Sequence, residues 1–105
     1  MKLLVITSLK DYQKEAIKLF HKAGIKVFSV SKTMGFKEDD SVNLMDSWFS
    51  NEAEYFDSIV MFSFTTEEKS NKAMELVDSY NTESKIEFPI RVFIMSIEKA
   101  SYPIS

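Results

Sequence analysis

The sequence predicts one α+β domain in which two β-α-β units share a single antiparallel sheet. Three observations lead there. Short apolar runs alternate with segments of helical periodicity in the order strand, helix, strand, and then strand, helix, strand again. Between the halves lies a long stretch, Lys32–Asp57, dense in acids and aromatics and without a clear place in a core. The chain has 105 residues, 45% hydrophobic and 28% charged, enough for one real core and too few for two.

Each element has its own local reason. Leu3–Ile6 is a continuous apolar run and reads as a strand buried on both faces. Asp11 stands where an N-cap belongs. Tyr12, Ala16, Leu19, Phe20 and Ala23 then follow at helical spacing, with Gly24 placed as the C′ glycine. Ile25–Ser31 is the second strand, Val27 alternating against Phe28 and Val30. Ser58–Phe64, rich in β-branched and aromatic residues, is the third. Thr65 and Glu68 have capping-box spacing, and Ala73, Leu76, Val77 and Tyr80 give the stripe of a second helix. Asn81–Ser84 reads as a polar loop, and Ile90–Ile97 as the fourth strand, begun after Pro89. The order is that of a ferredoxin-like βαββαβ sandwich with a long insertion between strands two and three. Residues 1–105 are expected to form a single domain, the insertion spanning about 32–57.

In such a sandwich both helices cover one face of the sheet and leave the other bare. Both faces of these strands are nevertheless apolar. Leu3 and Val5 back onto Leu4 and Ile6; Ile59 and Met61 onto Val60, Phe62 and Phe64; Val92 and Ile94 onto Phe93, Met95 and Ile97. Leaving several such side chains wet forgoes roughly 1.5–3 kcal/mol each and makes a patch larger than lone proteins tolerate. The open face is expected to meet another subunit.

Composition excludes several function classes. Net charge is −3, which argues against a nucleic-acid partner held on a broad basic surface. Cysteine is absent, so disulfide scaffolds, thiolate metal sites and thiol catalysis are excluded, in keeping with a reducing compartment. No apolar run approaches the length of a membrane span. Met1-Lys2 leads into a strand too short for a secretory signal, so a cytoplasmic location is expected.

Gly24-Ile25, Val30 and Gly35-Phe36 have the spacing at which PII signal-transduction proteins run from their first helix through strand two into the T-loop. The Lys2–Ile6 strand and the Ile97-Glu98 end of strand four fit too, and in element order the chain resembles a divergent PII-like protein over nearly its whole length. The resemblance implies a homotrimer with sheets packed inward and small effectors bound in clefts between subunits. It also implies a mobile loop that docks on a transporter or enzyme. Arg91 falls where the family places a phosphate-contacting lysine, and its guanidinium suits a phosphate or carboxylate. An effector site at Gly35, Phe36, Lys37 and Arg91 is thereby implied, with an adenine nucleotide as its ligand class and no other cofactor expected. Two departures stand out. The family's glycine-rich phosphate loop corresponds here to Asn81–Pro89, which has no glycine, and its Gly-Phe-Gly is Gly35-Phe36-Lys37. Arg91 could alternatively do no more than pair with Glu87.

The insertion sets Glu38, Asp39, Asp40, Asp46, Glu52, Glu54 and Asp57 against Lys32 and Lys37. Three readings stay open. It is a solvated loop; or a docking loop presenting Val42, Leu44, Met45, Trp48 and Phe49 to a target such as a membrane transporter; or a segment that packs on the neighbouring subunit. Ala53-Glu54-Tyr55 resembles the tripeptide around the tyrosine that some PII proteins have modified, but it abuts strand three. Carboxylates this dense could hold Mg²⁺ or Ca²⁺, yet no calcium-loop pattern is present and no metal site is assigned. His21 is the sole histidine and reads as a surface residue, so zinc and Ser–His chemistry have almost nothing to be built from. A non-enzymatic regulator is the first expectation. The alternative is a ferredoxin-like trimeric metal-binding or metal-tolerance protein using the loop carboxylates or Met34 and Met45. A third option is a dimeric α+β barrel enzyme, against which the poverty of catalytic side chains counts.

Overall fold

The structure, a computed structural model, describes residues 1–36, 55–86 and 88–101. The elements are β1 (Lys2–Leu9), a 3₁₀ turn (Lys10–Tyr12), α1 (Gln13–Lys22), β2 (Ser29–Phe36), β3 (Tyr55–Thr65), α2 (Glu67–Ser84) and β4 (Arg91–Ser96). The strands form one antiparallel four-stranded sheet in the order β2-β3-β1-β4. This is the expected ferredoxin-like sandwich, with an undescribed stretch between β2 and β3 where the insertion was placed.

Alternation along the strands sorts the side chains. Leu4 and Ile6 of β1 and Ile59 and Met61 of β3 are fully buried beneath Ala16, Leu19 and Phe20 of α1 and Ala73 and Val77 of α2. Val92 and Ile94 of β4 pack against the same core. Both helices thus cover one face, and the register assigns Leu3, Val5, Val60, Phe62, Phe64, Phe93 and Met95 to the other. Among these, Phe64 is 48% and Met95 42% exposed. The apolar face is thus partly exposed, at Phe64 and Met95, while Val5, Thr7 and Ser58 on the same face are buried.

Several boundaries differ from the sequence reading, each for a physical reason. β1 runs on to Leu9 because Ser8 and Leu9 still have partners in β3. The second strand begins at Ser29, not Ile25. Ile25 is buried in the connection, its N–H donating to the Phe20 carbonyl at 3.0 Å, and Val27 is 84% exposed. β2 then continues to Phe36, and β3 starts at Tyr55. Lys32–Phe36 and Tyr55–Asp57, assigned to the insertion, are therefore a paired ribbon, and Tyr55 opposes Phe36 as a strand residue.

The helices are shifted likewise. The 3₁₀ turn holds Asp11, and α1 starts at Gln13 with no side-chain cap, so Asp11 is not its N-cap. Gly24 does take the left-handed conformation expected past the helix end, φ +85°. On α2 the cap is Thr66, whose hydroxyl accepts from the Lys69 N–H at 3.1 Å; Thr65 is the last residue of β3. Asn81–Ser84, expected as a loop, is the last turn of α2, which ends on Lys85 at φ 50°.

Candidate functional site

The implied effector residues sit at the two edges of the sheet. Gly35 and Phe36 end β2, opposite Phe56 and Tyr55 at the base of the undescribed segment. Arg91 opens β4 on the other edge strand, in the row Arg91, Thr7, Val60, Ser31 across the sheet. Three strand spacings, about 14 Å, separate the two edges, and Gly35 lies a further ~13 Å along β2 from that row. One chain therefore does not bring Gly35 and Phe36 together with Arg91. Lys37 and the loop residues Val42, Leu44, Met45, Trp48 and Phe49 lie outside the described residues.

The sequence reading missed what holds Arg91 in place. The Asn81 side chain grips the backbone of Ile90, its Nδ2 donating to the carbonyl at 2.8 Å and its Oδ1 accepting from the N–H at 3.0 Å. Ile90 is 2% exposed, so without Asn81 both backbone groups would be enclosed and unpaired. This bracket fixes the start of β4 after Pro89 and hence the root of Arg91. Its only sequence signal was an asparagine directly after Tyr80, the last apolar residue of the helical stripe. Beside it a cavity of about 330 Å³ is lined by Asp78, Asn81, Pro89, Arg91 and Phe93. The Arg91 side chain is exposed there. Glu87, its alternative partner, is outside the described residues.

The remaining candidates have structural surroundings of their own. His21 is exposed and its ring stands 6.0 Å from that of Phe28, which in turn meets Phe20 edge-on at 5.2 Å. Met34 is 54% exposed on the outer strand, and Met45 is outside the described residues. Among the described residues no three His, Asp or Glu side chains converge in a way that could hold a metal ion. No described helix is long and apolar enough to cross a membrane.

A four-stranded antiparallel sheet with two helices on one face and a long β2–β3 connection defines an α+β sandwich of ferredoxin-like topology. Among solved structures the chain is similar to a protein of Thermus thermophilus described as PII-like and signalling. The two share 12% identity at a TM-score of 0.56, over 89% of this chain and 82% of that one. The likeness bears out the expected resemblance at the level of the fold. No family model matches the sequence, and no match was found among curated proteins.

Proposed function

We propose that this protein is a non-enzymatic, PII-like regulator. It assembles as a trimer through the open sheet face and binds a small anionic effector in the clefts between subunits. The observation that carries this reading is the uncovered apolar face on a fold shared with a PII-like signalling protein. A face holding Phe64 at 48% and Met95 at 42% exposure gains a large hydrophobic contribution when identical copies cover it.

With its residues on opposite edges, the implied site requires assembly. Gly35 and Phe36 on one edge and Arg91 on the other would share one cleft if the β4 edge of one copy met the β2 edge of the next with a stagger of about 13 Å along the strands. Arg91 would then hold the anionic group of the effector, an adenine nucleotide being the class suggested by resemblance. Effector contacts at the base of the β2–β3 connection would favour one conformation of it, and that conformation alone would fit a target. Val42, Leu44, Met45, Trp48 and Phe49 would make the contact, with a transport protein as the target class.

Sedimentation in solution followed by calorimetric titration with ATP, ADP, AMP and cyclic nucleotides tests the reading. A trimer that binds one of these, with affinity lost in Arg91→Ala, is expected. A monomer at micromolar concentration overturns it, and an Arg91→Ala variant of unchanged affinity overturns the cleft.

A further inference from the structure

The groove beside the Asn81 bracket carries two opposite charges that do not meet. Asp78 lies one turn before Asn81 on α2, and Arg91 directly follows the bracketed Ile90. The carboxylate therefore stands on the helix wall of the groove and the guanidinium on its strand wall, with Pro89, Val92 and Phe93 as apolar lining. The volume is about 330 Å³. Among the described residues neither Asp78 nor Arg91 makes an ion pair or a side-chain hydrogen bond, with the other or with a third group.

Local sequence explains why both are left over. Three and four positions from Asp78 on α2 stand Met74, Glu75, Asn81 and Thr82, none of them a cation. Arg91 has Thr7 across from it and Phe93 two residues on along its own face, neither of them a carboxylate. In the isolated chain both charges are exposed and water covers them. The cleft proposed above removes that water, and each charge then needs a counter-charge or bears the cost of desolvation. Lys32 is the only charged residue on the β2 edge, three residues from Gly35, or about 10 Å along the strand. A cleft that brings Gly35 to Arg91 sets Lys32 beyond the pair. A ligand that is anionic only satisfies Arg91 and is repelled by Asp78 across the same groove.

We infer that the effector of this cleft is a zwitterion, its phosphate or carboxylate held by the Arg91 guanidinium and its ammonium by the Asp78 carboxylate. The guanidinium fork takes two oxygens of the anionic group at once, and the ammonium supplies donors to a carboxylate that has none. The apolar wall of Pro89, Val92 and Phe93 receives the carbon chain between the two charges. Amino acids and aminoalkyl phosphates are the ligand class. The inference rests on the reading of Arg91 as the anion-binding group of the cleft, and narrows its ligand to anions that also carry an ammonium.

The test is calorimetric titration of the full chain with two ligands that differ by the ammonium alone, phosphoethanolamine and ethyl phosphate, and with ATP alongside. Phosphoethanolamine is expected to bind at least ten-fold more tightly than ethyl phosphate. Asp78→Asn should abolish that difference without weakening ethyl phosphate, and Arg91→Met should lose both ligands. Equal affinities in the wild type, a preference that survives Asp78→Asn, or no binding of phosphoethanolamine at millimolar concentration overturns the inference. In each of those cases ATP binding that depends on Arg91 leaves the proposed cleft standing, whereas a monomeric chain that binds none of the three overturns both. Sedimentation of Asp78→Asn, at an exposed position that does not threaten folding, should match the wild type. An assembly weakened in that variant with the ligand preference unchanged would assign the carboxylate to a contact between copies and overturn the inference.

Discussion

Asn81 and Ile90, nine residues apart, are joined by two hydrogen bonds from one side chain to one residue's backbone, at 2.8 and 3.0 Å. The amide acts as a substitute strand for Ile90, which lies just before β4 begins at Arg91. Asn81→Ala strands a buried N–H and a buried C=O at once. A loss of about 2–4 kcal/mol is expected, read as the urea midpoint. Asn81→Asp keeps the acceptor but not the donor and should fall between. If Asn81→Ala unfolded at the wild-type midpoint, the bracket would have no energetic weight.

Gly24 occupies φ +85°, a region that side chains strain to enter. A Cβ there would meet only the Lys69 side chain, its Cε at 3.6 Å, an ordinary contact. The cost of Gly24→Ala is therefore conformational, about 1–2 kcal/mol, with a lower melting temperature. Adding Lys69→Ala should recover none of it. Recovery would show that crowding, not backbone strain, sets the cost.

Thr66 caps α2, although the capping-box spacing pointed to Thr65. Thr66→Ala is expected to cost about 1 kcal/mol, a fall of roughly 4–8 °C in a domain of this size. Thr65→Val, at the end of β3, should change stability by less. Thermal melts of the two variants decide between the assignments, and a larger loss at Thr65 would reverse them.

Local chemistry made some of this legible. The buried run at Leu4 to Ile6, the α1 stripe of Ala16, Leu19 and Phe20, and Gly24 all obey rules that act within one turn or pleat. What escaped depends on partners distant in sequence. β2 starts at Ser29, opposite Phe62, although β3 runs on to Thr65; beyond it the Ser63 hydroxyl donates to the Val27 carbonyl at 2.7 Å, and no residue in Ile25–Phe28 announces the change. Asn81 looked like a loop residue because its favourable interaction is with Ile90, across the end of the helix. The two residues the resemblance implied for an effector site, Gly35 and Arg91, lie on opposite edges of the sheet, a placement set by strand order that the sequence did not reveal.

Phe64 offers the sharpest separation of fold from assembly. It is 48% exposed, in a row with Leu3 and Met95, and its ring meets Phe62 edge-on at 6.3 Å. Within one chain an aspartate here keeps much of its hydration, so Phe64→Asp should leave the monomer folded. Between copies it would place a carboxylate in an apolar contact, forfeiting roughly 1.5–3 kcal/mol of burial per subunit and adding a desolvation cost. The assembly should dissociate at concentrations where the wild type stays together, with the circular dichroism spectrum unchanged. Ile59→Asp is the control. Ile59 lies on the same strand but faces the helices with no exposure, so that variant should unfold the chain itself. If Phe64→Asp sedimented like the wild type, the open face would not be where the copies meet.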